Sequence, residues 1–326
     1  MAVTHKQKMQ EFLDAHHVNM QAEDFVRVTS NIYHAHEAAN YDSSHISIDR
    51  TRNLWSDVLA SLNTTFKKEQ QLSVLDFGCG TGFAAEQLIT SPLGTKIENV
   101  SCYDLSPDMI AQCKAKFSDD ARFTYYADAS GLNNMLQVEK LFDIVVCNSL
   151  LHHILEPDAL FELIDGLLKP GGYFIMGHEP NKAFYHNTVL QHISYIFRFF
   201  KKVRMKLVPT AKPATSKNIA VLTHRDLVTQ GIVPKSFPAQ IIPKFVDIHV
   251  PMSNYKEQPW GEMGFDLKYI NQYLGGRYSI IRQKSYNHIK DQGVYASATW
   301  SSIAEKLAKI YPSDGADSIF VFKKDR

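Results

Sequence analysis

Three aspartates and three glycines, each aspartate closing a short apolar run, carry the chemistry most legible in this chain. Val74-Leu75-Asp76-Phe77-Gly78-Cys79-Gly80-Thr81-Gly82 leads an apolar stretch into a glycine-rich turn. Glycines there let the backbone take positive φ and let a ligand approach where a Cβ would clash. The helix-forming run from Phe83 to Ile89 offers unpaired N–H groups to an electron-rich ligand. Such a turn is of the nucleotide-binding kind, but it does not choose the nucleotide. Asp104 ends a second apolar run, where a carboxylate can accept two hydrogen bonds from a ribose diol. Asp128 ends a third, where a carboxylate can accept from an exocyclic amine such as adenine N6. Asn148 and Ser149 end a fourth and open onto His152 and His153, and His178-Glu179 follows a fifth. A neutral imidazole near pH 7 suits proton removal, so His152, His153 and His178 are the candidate bases. No His/Cys cluster has metal-ligand spacing along the chain, and no metal is expected.

The elements that must position these residues alternate. Strands are expected near 72–75, 99–103, 122–126, 142–147 and 173–176. Helices are expected over 107–117, with Ser106 as N-cap and Pro107 in the first turn, and over 157–168, stopped by Lys169-Pro170-Gly171-Gly172. That alternation implies a parallel sheet with helices on both faces, which binds ligands beyond the carboxyl ends of its strands. Residues 1–62 read as helical. Lys182 to Leu207 reads as one long helix, followed by a linker at Pro209–Pro213, a short helix at 223–230, a strand at 245–250 and a last strand at 318–322. Residues 251–316 show little periodicity.

The chain has 326 residues, a formal net charge of +1 and four cysteines without a Cys-x-x-Cys pair. Near-neutral charge does not select nucleic acid as a partner. Without a membrane-length apolar run, a signal-peptide pattern or paired cysteines, the expected location is cytoplasmic.

These motifs jointly resemble those of class I S-adenosylmethionine-dependent methyltransferases. The turn at 74–82 resembles the family's first motif, Tyr103-Asp104-Leu105-Ser106-Pro107-Asp108-Met109 its second-strand acidic motif, and Tyr126-Ala127-Asp128-Ala129 its adenine-contact motif. Phe142–Asn148 and Leu168–Phe174 resemble the motifs at the fourth strand and before the fifth. The resemblance implies a Rossmann-like, doubly wound α/β fold with a seven-stranded sheet, mostly parallel and with the last strand antiparallel. It implies S-adenosylmethionine as cofactor, with S-adenosylhomocysteine as product. Cofactor contact is carried onto Tyr41, Asp76, Gly78, Cys79, Gly80, Gly82, Asp104, Leu105, Met109, Asp128, Ala129 and Asn148. Asp76 would help hold the ammonium, Asp104 the ribose, Met109 the adenine face and Asp128 adenine N6, while Tyr41 would close over the cofactor. Gly-x-Gly-x-x-Gly spacing is absent, which disfavours a nicotinamide cofactor.

The expected organisation is a helical cap (1–70), the cofactor-binding core (71–180), a basic and aromatic helical lid (181–222), a continuation of the core (223–250), an aromatic substrate-covering insertion (251–316) and a final core strand (317–326). Between Glu179 and Asp226 there is no acidic residue, and Arg198 to Lys206 mixes cations with Phe197, Phe199 and Phe200. Such a segment suits a hydrophobic or anionic acceptor, a carrier protein or a lipid surface, met through 182–217. The expected activity is in-line methyl transfer to O, N or C of a small molecule. The alternatives are a lipid or quinone-precursor methyltransferase at a membrane surface, or a cofactor-binding subunit without catalysis.

Overall fold

The computed structural model of the chain describes residues 4–44, 51–138, 141–207, 216–250, 264–290 and 297–325. Seven strands form one sheet: β1 (Leu72–Phe77), β2 (Ile97–Asp104), β3 (Phe123–Ala127), β4 (Phe142–Asn148), β5 (Leu168–Pro180), β6 (Tyr278–Tyr286) and β7 (Asp317–Lys324). Their order is β3-β2-β1-β4-β5-β7-β6. β1 pairs in parallel with β2 and β4, and β7 runs antiparallel to both β5 and β6. The last strand is thus the antiparallel one, as the resemblance implies.

Alternation along the central strands divides the core. Val74, Val100, Cys102, Ile144, Val146 and Ile175 face helices α4 (Arg52–Asn63), α5 (Phe83–Thr90) and α6 (Pro107–Lys116). Leu75, Phe77, Val145, Cys147, Phe174 and Met176 face the opposite layer, with α7 (Asp128–Val138), α8 (Pro157–Leu167) and α13 (Leu267–Leu274). Both faces of β1 and β4 are covered, which explains their unbroken apolar runs.

Outside these layers, α1 (His5–Ala15) and α2 (Ala22–Ala38) pack on α11 (Ser216–Thr229) and α12 (Ile242–Val246). The Phe25 and Phe245 rings meet edge to face at 4.8 Å. The strand expected at 245–250 is therefore corrected. Pro243 opens a helical turn there, and Phe245 and Val246 bury themselves against the N-terminal helices. A short apolar run fits a buried helix as well as a strand, so periodicity could not arbitrate. The sheet instead takes its further strand from β6, an edge strand whose side chains are largely exposed or half-buried.

The single helix expected over 182–207 is broken into α9 (Lys182–His186) and α10 (Thr188–Leu207). Asn187 is extended, and its side-chain Oδ1 accepts the Leu190 N–H, capping the second helix. Residues between 251 and 316 are more regular than their sequence suggests, holding α13, β6 and α14 (Ala298–Ile310). The linker at 209–213, and Trp260 and Tyr295 among the aromatic residues of the expected insertion, lie outside the described residues.

Candidate active site

A cavity of about 480 Å³ opens at the carboxyl ends of β1, β2 and β4. One end is formed by the turn after β1. The Gly78 and Cys79 N–H groups donate to the Tyr103 carbonyl oxygen at 2.8 and 2.9 Å, and the Gly80 N–H donates to Asp104 Oδ2 at 2.8 Å. Gly80 has φ +53°, and a Cβ there would enter open space, whereas a Cβ on Gly82 would collide with Cys113 and Phe117. The two glycines therefore serve different ends. Gly80 leaves room in front of the turn, and Gly82 lets α5 pack on α6.

Asp104 Oδ1 accepts the Ser106 N–H at 2.9 Å. Burial pushes its carboxyl pKa up, against the pull of these two backbone hydrogen bonds. Asp76 is fully buried; one oxygen accepts the Ala85 N–H at 2.9 Å, and Oδ1 has no hydrogen-bond partner. Burial pushes its pKa up to about 8. Asn148 Oδ1 and Ser149 Oγ are likewise buried without partners, and both residues line the cavity. Room before Gly80, an oriented carboxylate at Asp104 and polar atoms left unpaired at the end of β4 fit a ligand with ribose and amino-acid groups.

Among the residues expected to contact the cofactor, Tyr41, Gly78, Cys79, Gly80, Asp104, Leu105, Met109 and Asn148 line this cavity. Tyr41 belongs to a short helix, α3 (Tyr41–Ser44), tied to the turn by Thr81 Oγ1 donating to Asp42 Oδ1 at 2.5 Å. Asp76, Gly82, Asp128 and Ala129 are not among the lining residues. Asp128 has φ +58°, and its Oδ1 accepts from the Ser130 N–H, the Ser130 hydroxyl and the Gly131 N–H. The Ser130 hydroxyl bond leads the interactions that lower its pKa, and the arrangement caps α7.

The three histidines separate. His153 lines the cavity, its Nδ1 donating to the Val246 carbonyl oxygen at 2.9 Å. His152 is buried behind it, with Nδ1 2.8 Å from Glu179 Oε2. Burial opposes the His152 imidazolium, but the Glu179 carboxylate prevails and holds the pKa above its ordinary value. Glu179 also accepts the N–H groups of Leu150, Leu151 and His152, fixing the turn that follows β4. His178, at φ +55° in an irregularity of β5, pairs with the Tyr286 hydroxyl at 2.8 Å and does not line the cavity.

Part of the covering wall comes from the N-terminal helices. Glu23, Val26, Arg27, Ser30 and His34 of α2 face the cavity, at spacings that share one helix face. Leu150, Ile154, Leu155 and Leu160 line it as well. None of the described side chains of α10 does. Its Leu190 and Phe197 are buried, Phe197 lying 5.0 Å from the Trp300 ring of α14, while Phe199 and Phe200 remain 57% and 55% exposed.

His34 is a cavity residue that sequence reasoning missed. Its Nδ1 lies 3.1 Å from Glu37 Oε2, and its ring meets that of His153 edge to face at 5.2 Å. Burial opposes its charge, and Glu37 overrides this through hydrogen bond and charge, so its pKa is raised. The signal was the helical repeat at 23, 26, 27, 30 and 34, which shows a face but not what the face meets.

Residues 75–176 match a family model described as a methyltransferase domain. Over 107 residues the chain is 27% identical to malonyl-[acyl-carrier protein] O-methyltransferase 2 of Ilyobacter polytropus, covering 33% of this chain and 39% of that protein. Over 141 residues it is 30% identical to the ubiquinone biosynthesis O-methyltransferase of Xanthomonas euvesicatoria, covering 43% of this chain and 57% of that protein. In both cases the chain spans less than two-thirds of the relative's length. Among solved structures, N-methyltransferase NodS from Bradyrhizobium japonicum with S-adenosylhomocysteine aligns at 13% identity and TM-score 0.46, over 91% of this chain and 100% of that one. The segment that matches the methyltransferase-domain model runs from β1 into β5, the strands whose ends build the cavity.

Proposed function

We propose that this chain transfers a methyl group from S-adenosylmethionine to a small, largely apolar acceptor held between α2 and the segment 150–160. The observation that carries the reading is one continuous cavity. It has Gly80 and Asp104 at one end and Val26, His34, Leu155 and Leu160 at the other. The bound cofactor supplies a methyl group on a sulfonium whose departure needs no protonation.

The chain's part is to align and to desolvate. Asp104 accepts the ribose hydroxyls with the oxygen lone pairs left by Gly80 and Ser106. Asp76, behind the turn, is kept protonated by burial while the site holds no cation, and an ammonium brought to it would draw it to its charged form. Met109 packs on the adenine. On the acceptor side, His34 donates from Nδ1 to Glu37, so Nε2 is the atom that takes a proton from the acceptor. His152 positions the turn after β4 through Glu179. The two relatives named above for their sequence identity over part of the chain are O-methyltransferases, which supports oxygen ahead of nitrogen or carbon as the acceptor atom.

Titration calorimetry with S-adenosylmethionine, followed by incubation of methyl-labelled cofactor with fractionated metabolite extract, tests this reading. Binding with label recovered in a small-molecule fraction is expected. Binding without transferred label under any condition would favour a non-catalytic subunit.

A second reading, an acceptor presented at a lipid surface, is supported by α10. Val189, Ile196, Phe199, Phe200 and Val203 are exposed beside Lys202. Among the described residues no helix is long and apolar enough to cross a membrane, so contact would lie in the interface plane.

A further inference from the structure

The fold joins two neighbouring histidines to an aspartate far along the chain. One ring nitrogen of His152, one of His153 and a carboxylate oxygen of Asp247 all lie within 4.8 Å of one another. The two rings are 4.1 Å apart between centroids, and Asp247 Oδ1 is 3.5 Å from His153 Nδ1. Absence of metal-ligand spacing in the sequence is thus no guide to what the tertiary structure assembles.

Each ring is already held as a metal-binding imidazole is held. Glu179 Oε2 is 2.8 Å from His152 Nδ1, and the Val246 carbonyl oxygen is 2.9 Å from His153 Nδ1. A carboxylate and a carbonyl only accept, so both Nδ1 atoms carry hydrogen, and Nε2 of each ring is the nitrogen that would ligate. Orientation of ligating histidines by a carboxylate or backbone carbonyl is the usual supporting arrangement of a metal site. The two segments are also fastened to each other, since the His249 N–H donates to the His152 carbonyl oxygen at 3.2 Å. Three ligands are therefore presented on a pinned turn and on the strap that crosses it.

We propose that His152, His153 and Asp247 bind a divalent transition-metal ion of the zinc class at the wall of the cavity. Two imidazoles and a carboxylate suit such an ion, and three protein ligands leave a further position for a small molecule. His153 lines the cavity, so that position adjoins the acceptor space. The consequence for chemistry rests on the methyltransferase reading above. An acceptor hydroxyl brought to such an ion would give up its proton to His34 Nε2 more readily. Its oxygen lone pair then forms the bond to the methyl carbon, while the carbon–sulfur pair returns to sulfur and the sulfonium becomes a thioether.

The test uses the full chain, stripped with chelator and without cofactor, titrated with Co²⁺ and then Zn²⁺. We expect one Co²⁺ per chain, with the visible bands of a four-coordinate nitrogen and oxygen site, displaced by Zn²⁺. Asp247→Asn and His153→Gln should each weaken uptake at least about tenfold, while circular-dichroism melting reports that the fold persists. Absence of stoichiometric uptake by the unaltered chain would overturn the proposal, as would uptake undiminished in both variants. So would a thiolate-to-cobalt charge-transfer band, which would place the ion at Cys79, Cys102 and Cys113, whose sulfurs also lie within 4.8 Å of one another. Because no cofactor is present, failure here leaves the methyltransferase reading to its own calorimetric test.

Discussion

Asp104 Oδ2 accepts the Gly80 N–H at 2.8 Å, tying the end of β2 to the turn that follows β1. The same carboxylate braces the turn and, in the function proposed above, is the acceptor offered to a ribose. Asp104→Ala should weaken S-adenosylmethionine binding by about tenfold to a hundredfold, the worth of one hydrogen bond to a charged group at about 1.5–3 kcal/mol. Titration calorimetry of the variant against the unaltered chain measures this. An unchanged dissociation constant would remove Asp104 from the cofactor site.

His34 must be neutral to accept a proton, and Glu37 raises its pKa above the ordinary 6.5. Activity should therefore climb with pH through an inflection above that value. Glu37→Gln removes the raising partner and leaves burial to act, so the inflection should move to lower pH. His34→Gln should lower kcat by about 10²- to 10⁴-fold. A pH profile of kcat/KM indifferent to Glu37→Gln would assign the inflection to another group.

Asp76 has a folded-state pKa raised by burial to about 8. A carboxyl raised in this way favours the folded state while protonated, and that contribution is lost as pH rises through the folded value. Asp76→Asn should accordingly raise the melting temperature of the cofactor-free protein at pH 9 by about 2–4 °C for each kcal/mol relieved. The same variant should weaken cofactor binding, because an ammonium loses its anion. Thermal melts with and without S-adenosylmethionine separate the two effects.

Glu179 is fully buried and accepts from three backbone N–H groups and the His152 ring. Glu179→Gln should lower the unfolding free energy by about 3 kcal/mol near pH 6, since breaking a buried charged network leaves donors unpaired. His152 has a raised folded-state pKa, so the stability of its charged pair is present at low pH and lost as pH rises through that raised value. The penalty of the substitution should shrink correspondingly in urea unfolding at higher pH.

The exposed side of α10 makes a separable prediction. Replacing Phe199 and Phe200 with Ser should leave thermal stability and cofactor affinity nearly unchanged, because both rings are more than half exposed and neither lines the cavity. Co-sedimentation with vesicles rich in anionic phosphatidylserine should be lost if the lipid-surface reading holds. Retained sedimentation would refute that role for this face.

The core strands β1 to β5 were legible because their signals are local. Apolar runs, Ser106 before Pro107, and the stop at 169–172 act within a few residues of where they stand. β6 escaped because an edge strand needs little apolar patterning, and Tyr278 to Tyr286 is mostly exposed or half-buried. Residues 245–250 misled for the opposite reason. They are apolar enough for a strand, but Pro243 and the packing of Phe245 on Phe25 commit them to a helical turn and its continuation. Asp128 kept its expected position at the end of β3, yet its hydrogen bonds fall to Ser130 and Gly131, a competition no spacing reveals.

By itself, then, the sequence determined the donor side of the site. Its motifs are contiguous, and the glycines, Asp104 and the turn before β5 each follow from backbone geometry within one βα unit. The acceptor side was decided only by tertiary structure. His34 comes from an N-terminal helix, His153 from the turn after β4, and Asp247 from a strap near residue 250. Nothing in the spacing of such residues brings them together. The burial of Phe25 against Phe245, and the capture of the His152 turn by Glu179, bring His34 and Asp247 beside His153.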